Sequence, residues 1–248
     1  MDTINQHAAQ DELPADIETS SEGYAARFRG PAGAWMLQIQ ERTTLELLKP
    51  TDSRTVLEVG GGHGQLTAAL VRAGYQVTVQ GSDAVCQRGV AGLVQAGQCQ
   101  FTVGSFLKLP FPDRSFDAVV SVRLIMHSAS WPQVIAEMCR VARRTVVVDY
   151  PTTSALNALA PMLFSAKKRL EKNTRVWRNF THQEVAQSFA QNGFAAADRR
   201  GQFFFPMVIH RTLQQRWMSA ALEGATGGLG LNKRLGSPVL ARFDRPTA

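Results

Sequence analysis

Three sets of residues in this chain carry types and spacings that could do chemistry. The first is a turn, Glu58-Val59-Gly60-Gly61-Gly62-His63-Gly64. Glycine lets a backbone turn with positive φ and brings its N–H groups close to a ligand. The second is a lone carboxylate, Asp83, 19 residues beyond Gly64. A carboxylate at that distance accepts two hydrogen bonds from the vicinal hydroxyls of a ribose. The third is His127, whose imidazole is suited to proton transfer near neutral pH. Together they describe a site for a nucleoside-containing ligand with a proton acceptor nearby.

These residues need elements to hold them. Val56 to Val59 is a short apolar run, and Leu66, Ala69, Leu70 and Ala73 follow at helical spacing. The turn therefore joins a buried strand to a helix, which Gly74 ends. Tyr75 to Gln80 alternates as a second strand, with Asp83 just past it and Gln80 as the rival position should the strand end earlier. Asp83 also suits the N-cap of a helix over 84–96. Cys99 to Val103, Phe116 to Ser121 and Thr145 to Asp149 read as further strands, and Trp131 to Ala142 as a helix. Strands alternating with helices point to an α/β fold whose ligand lies at the strands' carboxyl ends. His127, six residues after Ser121, falls at that edge.

The glycine spacing disfavours one ligand class, the dinucleotide of an NAD-dependent oxidoreductase. A dinucleotide turn needs G-x-G-x-x-G, and position 65, where the third glycine would stand, is Gln65. The pattern Glu-x-Gly-x-Gly-x-Gly instead resembles motif I of the class I S-adenosylmethionine-dependent methyltransferases. The stretch Gly104-Ser105-Phe106 to Leu109-Pro110-Phe111-Pro112-Asp113-Arg114-Ser115-Phe116-Asp117 resembles a second family stretch, with Ser105 in place of the usual Asp. The closest match runs over residues 54–150 and is similar to the ubiquinone and menaquinone biosynthesis methyltransferases.

That resemblance implies a Rossmann-like seven-stranded, mostly parallel sheet with helices on both faces, an antiparallel last strand and helical additions forming a lid. It implies S-adenosyl-L-methionine as cofactor, held by Tyr24, Arg29, Glu58, Gly60, Gly62, Gly64, Asp83, Ser105, Phe106 and Arg123. Arg29 would face the methionine carboxylate, Ser105 the adenine edge and Phe106 the adenine ring. The methyl acceptor would be a small or lipid-like molecule, His127 would act as a base or orient it, and no metal would take part. Rival readings are a nucleic-acid methyltransferase and a non-catalytic protein that binds the same cofactor. Neither a base-methylation signature nor an RNA-binding module is present to support the former.

The rest of the chain bounds these readings. Residues 1–22 hold Asp2, Asp11, Glu12, Asp16, Glu18 and Glu22 and no Lys or Arg, and are expected to be a disordered tail. They carry −6 of a total of +7, leaving +13 on residues 23–248, which are expected to form one domain. So basic a body suits acidic small molecules, nucleic acid or an anionic membrane surface. No run of about 20 apolar residues would span a membrane, and the polar start lacks a signal peptide's pattern; a cytoplasmic protein is expected. Cys86, Cys99 and Cys139 are too scattered for a zinc site or a disulfide framework.

Lid segments are expected at about 23–48, 151–180 and 206–235. The first holds a helix from Pro31 to Leu48. The second, apolar on one face and then basic from Lys167 to Arg178, would cap the acceptor pocket or touch a membrane surface. Thr181-His182-Gln183-Glu184 is a capping box opening a helix that ends at Gly193. Residues 194–205 read as a strand, Pro206 to Leu222 as helical, Gly224 to Gly230 as a flexible link, and Pro238 to Phe243 as the last strand.

Overall fold

The structure is a computed structural model that describes residues 15–61, 63–153 and 178–246. The expectations for Gly62, residues 1–14 and residues 154–177 lie outside the described residues. Seven strands form one sheet: β1 (Thr55–Val59), β2 (Gln76–Gly81), β3 (Cys99–Val103), β4 (Phe116–Ser121), β5 (Ala142–Tyr150), β6 (Ala195–Gly201) and β7 (Val239–Asp244). Their order is β3-β2-β1-β4-β5-β7-β6. The first five are mutually parallel, and β7 runs antiparallel to both β5 and β6. This is the Rossmann-like seven-stranded sheet, with the last strand reversed.

The parallel strands are apolar on both sides because helices cover both faces. On one face Leu57, Val59, Val119, Val146 and Val148 pack with the helices Trp131–Val141 and His182–Gln191. On the other, Val56, Val77, Val79, Ala118 and Val120 pack with Leu66, Leu70, Leu47 and Leu48. The last two end a 19-residue helix, Gly30–Leu48. The capping box is present, with Thr181 and Glu184 bonded reciprocally.

Four expectations are corrected. Residues 15–22 are not a disordered tail: Ala15–Thr19 and Glu22–Ala25 are helical, and Asp16 is buried. The helix expected over 84–96 is a 3-10 segment, Ala84–Val90, followed by one short α-helix, Ala91–Gln95. The tighter coil accompanies a close approach: a Cβ on Gly64 would stand 2.2 Å from the carbonyl oxygen of Gly89. The strand expected over 194–205 stops at Gly201, because the N–H groups of Phe204 and Phe205 bond to the Glu223 carboxylate and not to a neighbouring strand.

Finally, Gly224 to Gly228 are not a flexible link but the last turns of a helix, Arg216–Gly228, with Leu231–Leu235 after it. Glu223 anchors that helix from within. Its carboxylate also accepts bonds from His210 Nε2 at 3.0 Å and Asn232 Nδ2 at 2.7 Å. His210 in turn packs against Trp35 and Phe203, which also touch each other, so this insertion rides on the helix Gly30–Leu48.

Candidate functional site

The site is built at the carboxyl ends of β1, β2, β4 and β5. β1 delivers Glu58 into the core and then turns at Gly60, with φ +76°, and Gly64, with φ +67°. Any Cβ at Gly61 would stand 2.3 Å from the Glu58 carboxyl carbon. The turn therefore folds back on the carboxyl group and needs glycine to do so.

Glu58 accepts a 2.6 Å bond from the Thr67 hydroxyl on Oε2, while its Oε1 has no partner among the described residues. Burial pushes its pKa from 4.5 up to about 8, against the lowering influence of Thr67. His63 accepts the Gln65 N–H on Nδ1 at 3.1 Å, so its proton sits on Nε2, which has no partner among the described residues. Burial, and then the positive charge of Arg123, holds its pKa down at about 3. The turn thus offers one acid oxygen and one neutral imidazole N–H.

Arg123 is the residue around which the site closes. It follows β4 with φ +62°, a left-handed conformation that non-glycine residues seldom adopt. The Asp149 carboxylate, at the end of β5, holds it there by accepting the Arg123 N–H at 2.5 Å. The guanidinium bonds to the side-chain oxygens of Gln65 and Gln40. It also lies 4.3 Å from the centre of the Phe28 ring and 5.9 Å from that of Tyr24. Asp149 is buried, its Oδ2 lacks a partner among the described residues, and burial raises its pKa to about 6 although the Arg123 N–H and charge oppose this.

At the end of β2 Asp83 takes the N-cap role expected of it. Asp83 is exposed and caps the 3-10 segment through the Val85 N–H at 2.8 Å. Gln80 is buried, its amide donating to the carbonyls of Gly81 and Gly104 while Oε1 has no partner among the described residues. Asp16 reaches in from the N-terminal segment to accept the Ser82 N–H at 2.7 Å and the Ser82 hydroxyl at 2.5 Å. The segment from Asp16 to Phe28 is therefore a strap fastened at the end of β2 and, through Tyr24 and Phe28, beside Arg123 past β4, with β1 between those two strands.

The structure therefore brings together Glu58, Gly60, Gly64, Arg123 and Tyr24. Arg29 stands apart: it is exposed at the start of the helix Gly30–Leu48 and lines a separate cavity. Ser105 is exposed and accepts the Leu107 N–H, and Phe106 is half-buried against the core. His127 ends a single 3-10 turn, Ile125–His127, and is half-buried. Sequence reasoning missed Asp16, Phe28, Gln40, Gln65 and Asp149. Only Asp149 left a signal, as the lone acid near the end of an apolar strand. Among the described residues no three His, Cys, Asp or Glu side chains gather to hold a metal, and no described helix is long and apolar enough to cross a membrane.

Comparison with known proteins bears on this geometry. Residues 57–148 match the family described as methyltransferase domain. This segment is similar to a methyltransferase domain. The matched segment spans the glycine turn, Asp83, Arg123 and His127, and so contains most of the site. A demethylmenaquinone methyltransferase of Deinococcus radiodurans is 36% identical over 105 residues, covering 40% of this chain and 44% of that protein. A fatty-acid O-methyltransferase of Mycolicibacterium smegmatis is 35% identical over 100 residues, covering 37% of this chain and 34% of the relative. The matched part of the chain thus spans less than half the length of these relatives. Among solved structures, magnesium protoporphyrin IX methyltransferase from Synechocystis PCC 6803 with bound SAH superposes with a TM-score of 0.61 at 15% identity, covering 92% of this chain and 96% of that one. The [4+2]-cyclase SpnF does so with 0.57 at 17% identity, covering 84% and 81%. At such identities the likeness concerns the fold, which carries more than one chemistry.

Proposed function

We propose that the chain binds S-adenosyl-L-methionine on the glycine turn and transfers its methyl group to a small or lipid-like acceptor by in-line displacement, leaving S-adenosylhomocysteine. The observation that carries this reading is a set of buried polar atoms without partners among the described residues: Glu58 Oε1, His63 Nε2, Gln80 Oε1 and Asp149 Oδ2. They lie at or just past the carboxyl ends of β1, β2 and β5. Buried polar groups are normally bonded, and a polar ligand seated at this edge supplies what they lack.

The cofactor brings an electrophilic methyl group. The chain's residues hold it and shape its surroundings. Glu58 Oε1 suits the ammonium of the methionine portion and Arg123 its carboxylate, with Tyr24 covering that end. Asp83 faces the ribose hydroxyls, and Ser105 and Phe106 border the adenine. Gly60, Gly62 and Gly64 let the backbone approach. Holding acceptor and methyl in line supplies roughly 7–11 kcal/mol of the barrier reduction. His127, past the exit of β4, is the group proposed to take a proton from the acceptor or orient it, worth ~10²–10⁴-fold. The relatives, a demethylmenaquinone methyltransferase and a fatty-acid O-methyltransferase among them, favour a lipid-like acceptor over nucleic acid, as does the site's enclosure by the strap. Peripheral membrane contact through residues 151–180 and a cytoplasmic location belong to the same reading.

Calorimetry tests it. S-adenosylhomocysteine titrated into the folded protein should give saturable heat, and its absence would remove the reading. With an acceptor in hand, His127→Ala should slow single-turnover methyl transfer ~10²-fold or more while cofactor affinity stays within a few-fold. An unchanged chemical step would leave positioning alone to account for the rate.

A further inference from the structure

The insertion between β6 and β7 concentrates the exposed apolar surface of the molecule. Four of the six large apolar side chains that stand exposed among the described residues, Ile209, Trp217, Leu222 and Leu229, belong to it. Trp217 is 69% exposed and Leu229 77%, so neither packs on the body of the chain. Apolar side chains clustered in this way mark a surface that something else covers.

The helix Arg216–Gly228 is inside out. A helix on a protein surface normally buries its apolar stripe and exposes its polar one. Here the buried residues are Ser219 and Glu223. At about 3.6 residues per turn, Trp217, Ala221, Gly224, Ala225 and Gly228 fall on the opposite face, and all five are exposed. Leu222 and Leu229 flank them, and no charged side chain interrupts the face. A Cβ added at Gly224 or Gly228 would meet nothing within 4 Å, so no described residue lies over its middle. The polar side anchors the insertion through the four bonds to Glu223, and the apolar side is left facing outward.

Charge names the occupant. Arg216 opens the helix and Arg234 lies in the short helix after it, and both are exposed. The single acid between Pro206 and Pro238 is Glu223, which is buried. Apolar surface edged by cations, with no exposed acid, matches an anionic lipid interface, where Trp and Leu enter the headgroup boundary and Arg meets phosphates. A protein partner would need directional groups to fix its register. Alanines, glycines and spaced leucines supply none, and a lipid surface asks for none. The helix has 13 residues. At about 20 Å it is shorter than the ~30 Å hydrocarbon core and would lie in the plane of the interface.

We propose that the face bearing Trp217, Leu222 and Leu229 docks the protein on an anionic lipid surface. This goes beyond the methyl-transfer reading and does not depend on it. It places the contact on a different insertion from residues 151–180.

The experiment sediments the full chain with phosphatidylcholine vesicles, with and without phosphatidylglycerol. Phosphatidylglycerol should strengthen binding about tenfold or more. Trp217→Ser/Leu229→Ser should weaken it at least tenfold and leave the thermal transition and S-adenosylhomocysteine affinity unchanged, since neither side chain packs on the body. Gly224→Glu sets an acid in the middle of the face, where there is room for it. It should weaken vesicle binding as much, while Tm holds or rises because glutamate favours a helix over glycine. This variant replaces the serine pair if that pair loses its thermal transition. Brominated phosphatidylcholine in the same vesicles should quench more tryptophan emission in the wild type than in Trp217→Phe. No vesicle binding by the wild type, undiminished binding in the variants, or equal quenching overturns the proposal. Self-association that Trp217→Ser/Leu229→Ser abolishes, without vesicle binding, would also overturn it and name a second copy as the occupant. A chain that binds vesicles as expected but not S-adenosylhomocysteine would refute the methyl-transfer reading and leave the docking face standing.

Discussion

Replacing Glu58 by Gln removes an acid from a place where water cannot reach it, and the consequence should be visible as a change in pH dependence. Burial raises the Glu58 pKa from 4.5 to about 8. The folded protein therefore keeps a proton on this carboxyl group that the unfolded chain has already lost. For a raised carboxyl pKa, the stabilising contribution is whole below pH 4.5 and is lost as pH rises through about 8. Each pH unit inside that window costs ~1.4 kcal/mol.

Among the described residues whose pKa values are shifted, no other group changes in the upper part of the window. Asp149, also raised, completes its change near its pKa of about 6. His63, lowered to about 3, and His182, also lowered, act only below the usual histidine range. Between pH 6.5 and 8 the ligand-free protein should thus lose about 2 kcal/mol, or roughly 4–8 °C in Tm for a chain of this size. Glu58→Gln keeps an acceptor for the Thr67 hydroxyl and should run nearly flat over the same range. Urea or thermal denaturation at half-unit steps from pH 6.5 to 9 measures both. If wild type and variant fall in parallel, Glu58 ionises normally and the assignment of a neutral acid beside the glycine turn is wrong.

Other substitutions probe other parts of the site. Gly64→Ala combines a left-handed residue with a methyl 2.2 Å from the Gly89 carbonyl oxygen; it should displace the turn and cut S-adenosylhomocysteine affinity more than tenfold by calorimetry. Asp16→Ala removes both bonds that tie the strap to Ser82, each worth ~1.5–3 kcal/mol for a charged acceptor; limited trypsin digestion at Arg27 should speed up at least tenfold, and an unchanged rate would refute the strap. Glu223→Gln replaces one acceptor oxygen with a donor in a carboxylate that takes four bonds; a loss of ~3 kcal/mol should appear in urea denaturation, and a loss under 1 kcal/mol would show that the insertion is held by its apolar contacts.

The parallel core was readable because both of its sheet faces are covered: apolar runs such as Val56 to Val59 and Ala118 to Val120 have few other uses. Glycines were readable where a turn demanded them, as at Gly60, Gly64, Gly74 and Gly193, all with positive φ. They misled where a long-range anchor decided the outcome. Gly224, Gly227 and Gly228 look like breakers locally, yet the buried Glu223 carboxylate fixes the helix that contains them. The site divides the same way. Glu58 and the glycines belong to one contiguous pattern. Gln40, Gln65 and Asp149 meet at Arg123 from three separate parts of the chain, and no local spacing announces that meeting. Asp16 was hidden by composition, since one anchored acid among six looks like part of a solvated tail.

The strap from Asp16 to Phe28 bears on time rather than affinity. It is fastened at β2 by the Ser82 bonds and at the exit of β4 by the stacking of Tyr24 and Phe28 on Arg123, so anything seated on the glycine turn between those fastenings lies beneath a closed bridge. Binding and release then each require one fastening to open, and the faster of the two openings sets a floor on residence time. For such an arrangement the dwell of a ligand is governed by how often the bridge lifts.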